Sequence, residues 1–99
     1  MFLIMLSQQQ INIIIDTLKP FHPTKIGIFG SYSRGENNED SDIDILYSFE
    51  YSIGLFKLIG IKDVLEQKLN TKVDLVSEKY ANPKLKPIIF SDLKIIYGN

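Results

Sequence analysis

Apolar positions recur along this chain with two different periods, and the switches between them mark out the predicted elements. Ile11, Ile14, Ile15 and Leu18 fall at three- and four-residue intervals, which gathers them on one face of a helix, so residues 8–19 are predicted helical. The start is written as a capping box, with Ser7 as N-cap and Gln10 at N3. Leu6 and Ile11 then occupy the two positions of a hydrophobic staple. Pro20 and Pro23 stop the helix and leave Phe21 and His22 in the connection.

The period then shortens. TKIGIFG, residues 24–30, is a short Ile-rich run ending in glycine, as expected of a buried strand entering a tight turn. DIDILYSF, residues 42–49, alternates at first: Asp42 and Asp44 share one face, Ile43 and Ile45 the other. Helical spacing returns over residues 52–70, with apolar residues at 55, 58, 61, 65 and 69, although Gly54 and Gly60 weaken its first half. KVDLV, residues 72–76, reads as a third strand, with Val73 and Leu75 on one face and Asp74 on the other beside Lys72 and Val76. Pro83 and Pro87 suggest a short helix over 84–91, followed by a last strand over 93–97. The order α–β–turn–β–α–β–α–β predicts an α/β (α+β) fold, a mixed sheet of about four strands with helices packed on one face.

Composition narrows the setting. Ninety-nine residues suit a single domain over 1–99, and 44% apolar with 23% charged residues is ordinary for a globular protein. A formal net charge of −1 gives no global reason to expect a nucleic-acid or membrane-surface partner. The absence of cysteine excludes disulfides and thiolate metal sites. The opening MFLIML is apolar but lacks a basic flank and a small-residue cleavage site, and it is shorter than a signal-peptide core. No run approaches the roughly 20 apolar residues of a membrane span. A cytoplasmic protein is expected, with the apolar N-terminus packed on the domain or on a partner.

The candidate chemistry lies in GSYSRGENNEDSDIDI, residues 30–45, which holds two glycines, the chain's only arginine and five carboxylates. Its skeleton is Gly30-Ser31, ten residues, then Asp42-x-Asp44. Random usage would give that spacing in about one chain in a thousand of this length. Gly30 lets the backbone turn so that the following N–H groups, with the Ser31 hydroxyl, aim at a phosphate. Asp42 and Asp44, about 7 Å apart along one face of a strand, offer hard oxygen ligands suited to Mg²⁺. Asp74 is the third acid that a two-metal site would need, provided that its strand pairs beside residues 42–48.

A plain solvated loop accounts for Glu36, Glu39 and Asp40, but not for two aspartates at the head of an Ile/Leu strand. Arg34 has two readings that both stand: a guanidinium fork for triphosphate oxygens, or a tie to a neighbouring acid such as Glu36 or Asp40. Tyr32 and Tyr47 are expected to pack, and His22 to act as a connector.

GSYSRG, SDIDIL and KVDLV together resemble the nucleotidyltransferase superfamily of DNA polymerase β-like fold, and more narrowly the minimal nucleotidyltransferases, over roughly residues 24–76. Ser33 stands where alanine is common in that family. The resemblance implies catalytic, metal-binding Asp42 and Asp44, with Asp74 completing a site for two Mg²⁺ ions, and nucleotide binding at Gly30, Ser31 and Arg34. It implies attack of a hydroxyl on the α-phosphorus of a nucleoside triphosphate, with Asp74 or metal-bound hydroxide beside it helping to deprotonate the nucleophile. Small stand-alone members are often antitoxins paired with a HEPN-type RNase toxin encoded nearby. The implied activity is transfer of AMP from ATP to a tyrosine of that toxin, as in a type VII-like antitoxin, with no direct contact to nucleic acid. The alternatives are a small-molecule (aminoglycoside-type) nucleotidyltransferase, and a non-catalytic antitoxin that acts by binding alone.

Overall fold

The computed structural model describes residues 6–98. The opening helix forms as its capping signals require. In α1 (Gln8–Leu18) the Ser7 hydroxyl accepts from the Gln10 amide at 3.0 Å, and the Ser7 amide donates back to the Gln10 side chain at 2.8 Å. Leu6 is buried and Ile11 packs against the same core, while the apolar residues before Leu6 lie outside the described residues. A 3-10 turn at Lys19–Phe21 closes on His22, whose φ of 57° is left-handed, and leads into β1 (Pro23–Phe29).

A single turn of helix, α2 (Ser31–Arg34), separates β1 from the loop that enters β2 (Ile43–Phe49). Then follow α3 (Leu55–Leu69), β3 (Val73–Ser77), α4 (Lys86–Asp92) and β4 (Lys94–Gly98). The sheet order is β3-β2-β1-β4. β1 runs antiparallel to both β2 and β4, whereas β2 and β3 are parallel. A parallel pair cannot be joined by a tight turn, and α3 supplies the crossover.

Alternation along the strands divides the sheet into two faces. Ile26 and Ile28 of β1, Ile43 and Ile45 of β2, and Val73 of β3 are buried with Ile14 and Leu18 of α1 and Ile61, Leu65 and Leu69 of α3. Each such aliphatic side chain contributes roughly 1.5–3 kcal/mol when fully buried. The expectation of helices on one face holds for α1 and α3. The short α4 lies towards the other face, where Leu85, Ile88 and Ile89 share a cavity with Asp74 and Val76.

Two elements differ from the sequence expectation in extent. The apolar stripe of α3 is buried only from Ile61 onward. Leu55 is exposed, Phe56 is 90% exposed, and Gly54 offers no side-chain cap to the first turn. α4 starts at Lys86, because Pro83 belongs to a preceding turn in which the Leu85 amide donates to the Asn82 carbonyl. Pro87 then takes the first-turn position that needs no amide donor. Tyr32 and Tyr47 are both buried, the latter with its ring centroid 4.6 Å from that of Phe49.

Candidate active site

Strand register brings two distant acids side by side. In the parallel pair β2–β3, Asp44 lies opposite Asp74, and in the antiparallel pair β1–β2 it lies opposite Phe29. Residues opposed in this way project from the same face of a sheet. Asp44 therefore sits at the middle of three adjacent strands, with Asp74 on one side and the end of β1 on the other. Asp42 precedes β2 by one residue and is exposed, as is Asp74, while Asp44 is half-buried.

Beyond Phe29 the chain turns at Gly30, with φ 74° and ψ −152°, and α2 begins. The amides of Ser33 and Arg34 both donate to the Gly30 carbonyl, at 3.1 Å each. A Cβ at position 30 would run into the Oδ2 carboxylate oxygen of Asp44, so the turn and the aspartate are in direct contact. Gly35, also at positive φ, ends the turn. The expected skeleton is thus gathered: Gly30 and Ser31 stand at the top of β1, next to Asp44 and one strand further from Asp74.

The electrostatics follow from this crowding. Burial, then the Asp74 charge, then the Asp42 charge push the Asp44 carboxyl up to about 6, with Arg34 pulling weakly the other way. The cluster thus carries more negative charge than its surroundings neutralise. Among the described residues, no three His, Cys, Asp or Glu side chains form a ready-made metal cage. Asp42, Asp44 and Asp74 instead suit an ion that draws part of its shell from elsewhere. Mg²⁺ does so, taking one or two carboxylates together with phosphate oxygens and water.

Arg34 points to acids. Its Nε donates to Glu36 Oε1 at 2.7 Å and an Nη to Asp92 Oδ2 at 2.6 Å. Of the two neighbours considered from sequence, Glu36 is engaged, whereas the second partner is Asp92 and not Asp40. The Ser33 hydroxyl donates to the Asp92 carbonyl oxygen. Asp92 is a residue that the sequence reading missed. Nothing near it in the chain marks it, because its partner Arg34 is 58 residues away.

A cavity of about 310 Å³ opens beside this cluster, bounded by Gly30, Arg34, Asp74, Asp92, Leu85 and Ile88. A second of the same volume lies at the far end of β2, with Tyr47, Phe49, Tyr51 and Tyr80 among its walls. Size does not separate them, but only the first joins an apolar wall to Asp74, Arg34 and the Gly30 turn. His22 borders neither, and its ring meets the edge of Tyr51 as a connector residue.

A Gly-Ser turn set against strand-borne aspartates, on a four-stranded mixed sheet, is the polymerase β-like nucleotidyltransferase arrangement. The nucleotidyltransferase domain family matches residues 9–96, and the chain belongs to it. Over 77 residues it is 44% identical to the protein adenylyltransferase MntA of Thermococcus cleftensis, spanning 73% of this chain and 78% of that protein. Its fold is similar to that of a toxin–antitoxin solved with AMP-PNP (TM-score 0.82, 28% identity, 90% of this chain and 73% of that one). It is also similar to a chain of the complex between a tri-AMPylated HEPN toxin of Shewanella oneidensis and an MNT antitoxin (TM-score 0.78, 26% identity, 95% and 74%). Among the described residues, no helix is long and apolar enough to cross a membrane.

Proposed function

We propose that this nucleotidyltransferase is a protein adenylyltransferase. It transfers AMP from ATP to a hydroxyl, that of a tyrosine, on a HEPN-type partner encoded nearby, and acts in the cytoplasm as a type VII-like antitoxin. The observation that carries the reading is the pairing of Asp44 with Asp74 beside the Gly30 turn. The likeness to an MntA adenylyltransferase and to complexes of antitoxins with toxins supports the choice of a protein acceptor.

In this reading the turn at Gly30 and Ser31 holds the phosphates, with Arg34 beside it. Asp42, Asp44 and Asp74 hold two Mg²⁺ ions, which when bound supply positive charge against the triphosphate and the developing transition state. The acceptor oxygen forms a bond to the α-phosphorus as the bridging bond to the β-phosphate breaks. Pyrophosphate leaves with the bonding electron pair, and the hydroxyl proton passes to Asp74. Asp44 and Asp74 stand on adjacent strands about 4.8 Å apart, and the Gly30 turn lies beyond the end of β1 on the other side of Asp44, so the phosphate-holding turn and Asp74 flank Asp44 from opposite sides.

The test is incubation of the protein and its neighbour-encoded partner with labelled ATP and Mg²⁺, using wild type and the Asp42→Asn/Asp44→Asn variant. Label on the partner with wild type alone is expected. Protection of cells by the double variant equal to that by wild type would overturn the catalytic reading in favour of neutralisation by binding.

A further inference from the structure

Asp92 is an acid in a place that its own helix disfavours. It is the last residue of α4, where the helix carries partial negative charge that opposes a carboxylate. Its side chain is only 19% exposed, so solvent relieves little of that. Arg34 offsets the cost through a 2.6 Å ion pair. The same residue accepts the Ser33 hydroxyl on its backbone carbonyl, so Asp92 fastens two successive residues of α2. It therefore joins the turn after β1 to the junction between α4 and β4.

The fastening leaves Arg34 able to do more. A guanidinium has five N–H donors in a rigid plane, and Glu36 and Asp92 engage one nitrogen each at Nε and Nη1. The Nη2 group stays on a side chain that borders the same cavity as Gly30 and Asp74. A lysine could not be held by two acids and still present a directed donor pair.

We propose that Asp92 is a positioning residue for the nucleotide: it holds the Arg34 guanidinium at the edge of the cleft so that its remaining donors meet the triphosphate. This rests on the proposed function, in which Arg34 lies with the phosphates of ATP. Asp92 touches no reacting atom and acts through Arg34. Its effect falls on nucleotide affinity and leaves the chemical step alone.

The experiment measures ATP affinity of the full chain by calorimetry with Mg²⁺, together with kcat and KM for transfer to the partner. The variants are Asp92→Ala, Asp92→Asn, Arg34→Ala and the Arg34→Ala/Asp92→Ala pair, each checked for folding by thermal unfolding. Asp92→Ala is expected to raise KM and Kd for ATP about tenfold with kcat changed less than about twofold, the size of a charge-assisted hydrogen bond. The double variant should be no worse than Arg34→Ala, because both changes remove one interaction. Asp92→Asn, which keeps the shape and one acceptor oxygen, should give a smaller rise, and it carries the measurement if Asp92→Ala fails to fold.

Multiplying losses in the double variant would overturn the proposal, as would a lower melting temperature with KM unchanged. Tighter ATP binding by Asp92→Ala would also overturn it, since Asp92 would then be competing with phosphate for Arg34. Wild type that binds no ATP overturns the functional reading, and this inference with it. Normal binding by wild type and Asp92→Ala alike overturns this inference alone.

Discussion

Asp44 and Gly30 are fitted to one another: the Asp44 Oδ2 oxygen fills the space that a side chain at position 30 would occupy. The backbone of Gly30, at φ 74° and ψ −152°, lies in a region essentially closed to other residues. Gly30→Ala therefore acts twice. It should destabilise the fold by about 1–3 kcal/mol in urea unfolding. Displacement of Asp44 by even 1 Å should lower nucleotidyl transfer about 100-fold in the folded fraction.

Removing the Asp44 charge should make the metal-free protein more stable. Its carboxyl titrates at about 6 in the fold, above the ordinary value near 3.9 of an unfolded aspartate. The native state thus holds the proton more tightly, so wild-type stability falls as pH rises from about 4 to about 6, and the penalty is complete above that. With EDTA present, Asp44→Asn should melt at a higher temperature than wild type at pH 7.5. The gap should close near pH 4, where wild type is also neutral at this position. Transfer activity should be lost in the same variant.

The buried Ser33 hydroxyl is bonded to the Asp92 carbonyl. Ser33→Ala should cost about 0.5–1.5 kcal/mol. Chemical denaturation of the two proteins side by side measures it, and the shift should appear in the midpoint with the m-value unchanged.

The N-cap gives a test remote from the site. Ser7→Ala removes the 3.0 Å bond to the Gln10 amide and should cost about 1 kcal/mol, with transfer activity per folded molecule unaltered. Thermal unfolding followed by circular dichroism reads it directly.

Legibility in the sequence tracked the distance over which the deciding interaction acts. The cap of α1 is written within four residues, and Ser7 and Gln10 form it as expected. The alternation of Asp42 to Ile45 marks the face of β2 on its own. That Asp74 belongs with Asp44 was readable only as a condition on strand pairing, and the register of β2 against β3 meets it residue for residue. Asp92 carries no such condition, because helix-terminal acids are common and nothing local ties it to Arg34. The first turn of α3 misleads for a different reason. Leu55 continues the apolar spacing of 58, 61, 65 and 69, yet it is exposed and the core ends near Ile61, and spacing alone does not say where a helix leaves the sheet.

The parallel pairing of β2 with β3 also sets when the site can exist. Asp44 and Asp74 meet only after α3 has been made and has crossed back over the sheet, and Arg34 meets Asp92 only once α4 is in place. Contacts between such distant positions form late, because loop closure must precede the energy they return. A chain still emerging from the ribosome, complete through β2 but not beyond, carries the Gly30 turn, Asp42 and Asp44 with no Asp74 beside them. On the proposed function, transfer therefore begins only once β3 is laid beside β2, and a chain cut short before β3 should be inert instead of partly active.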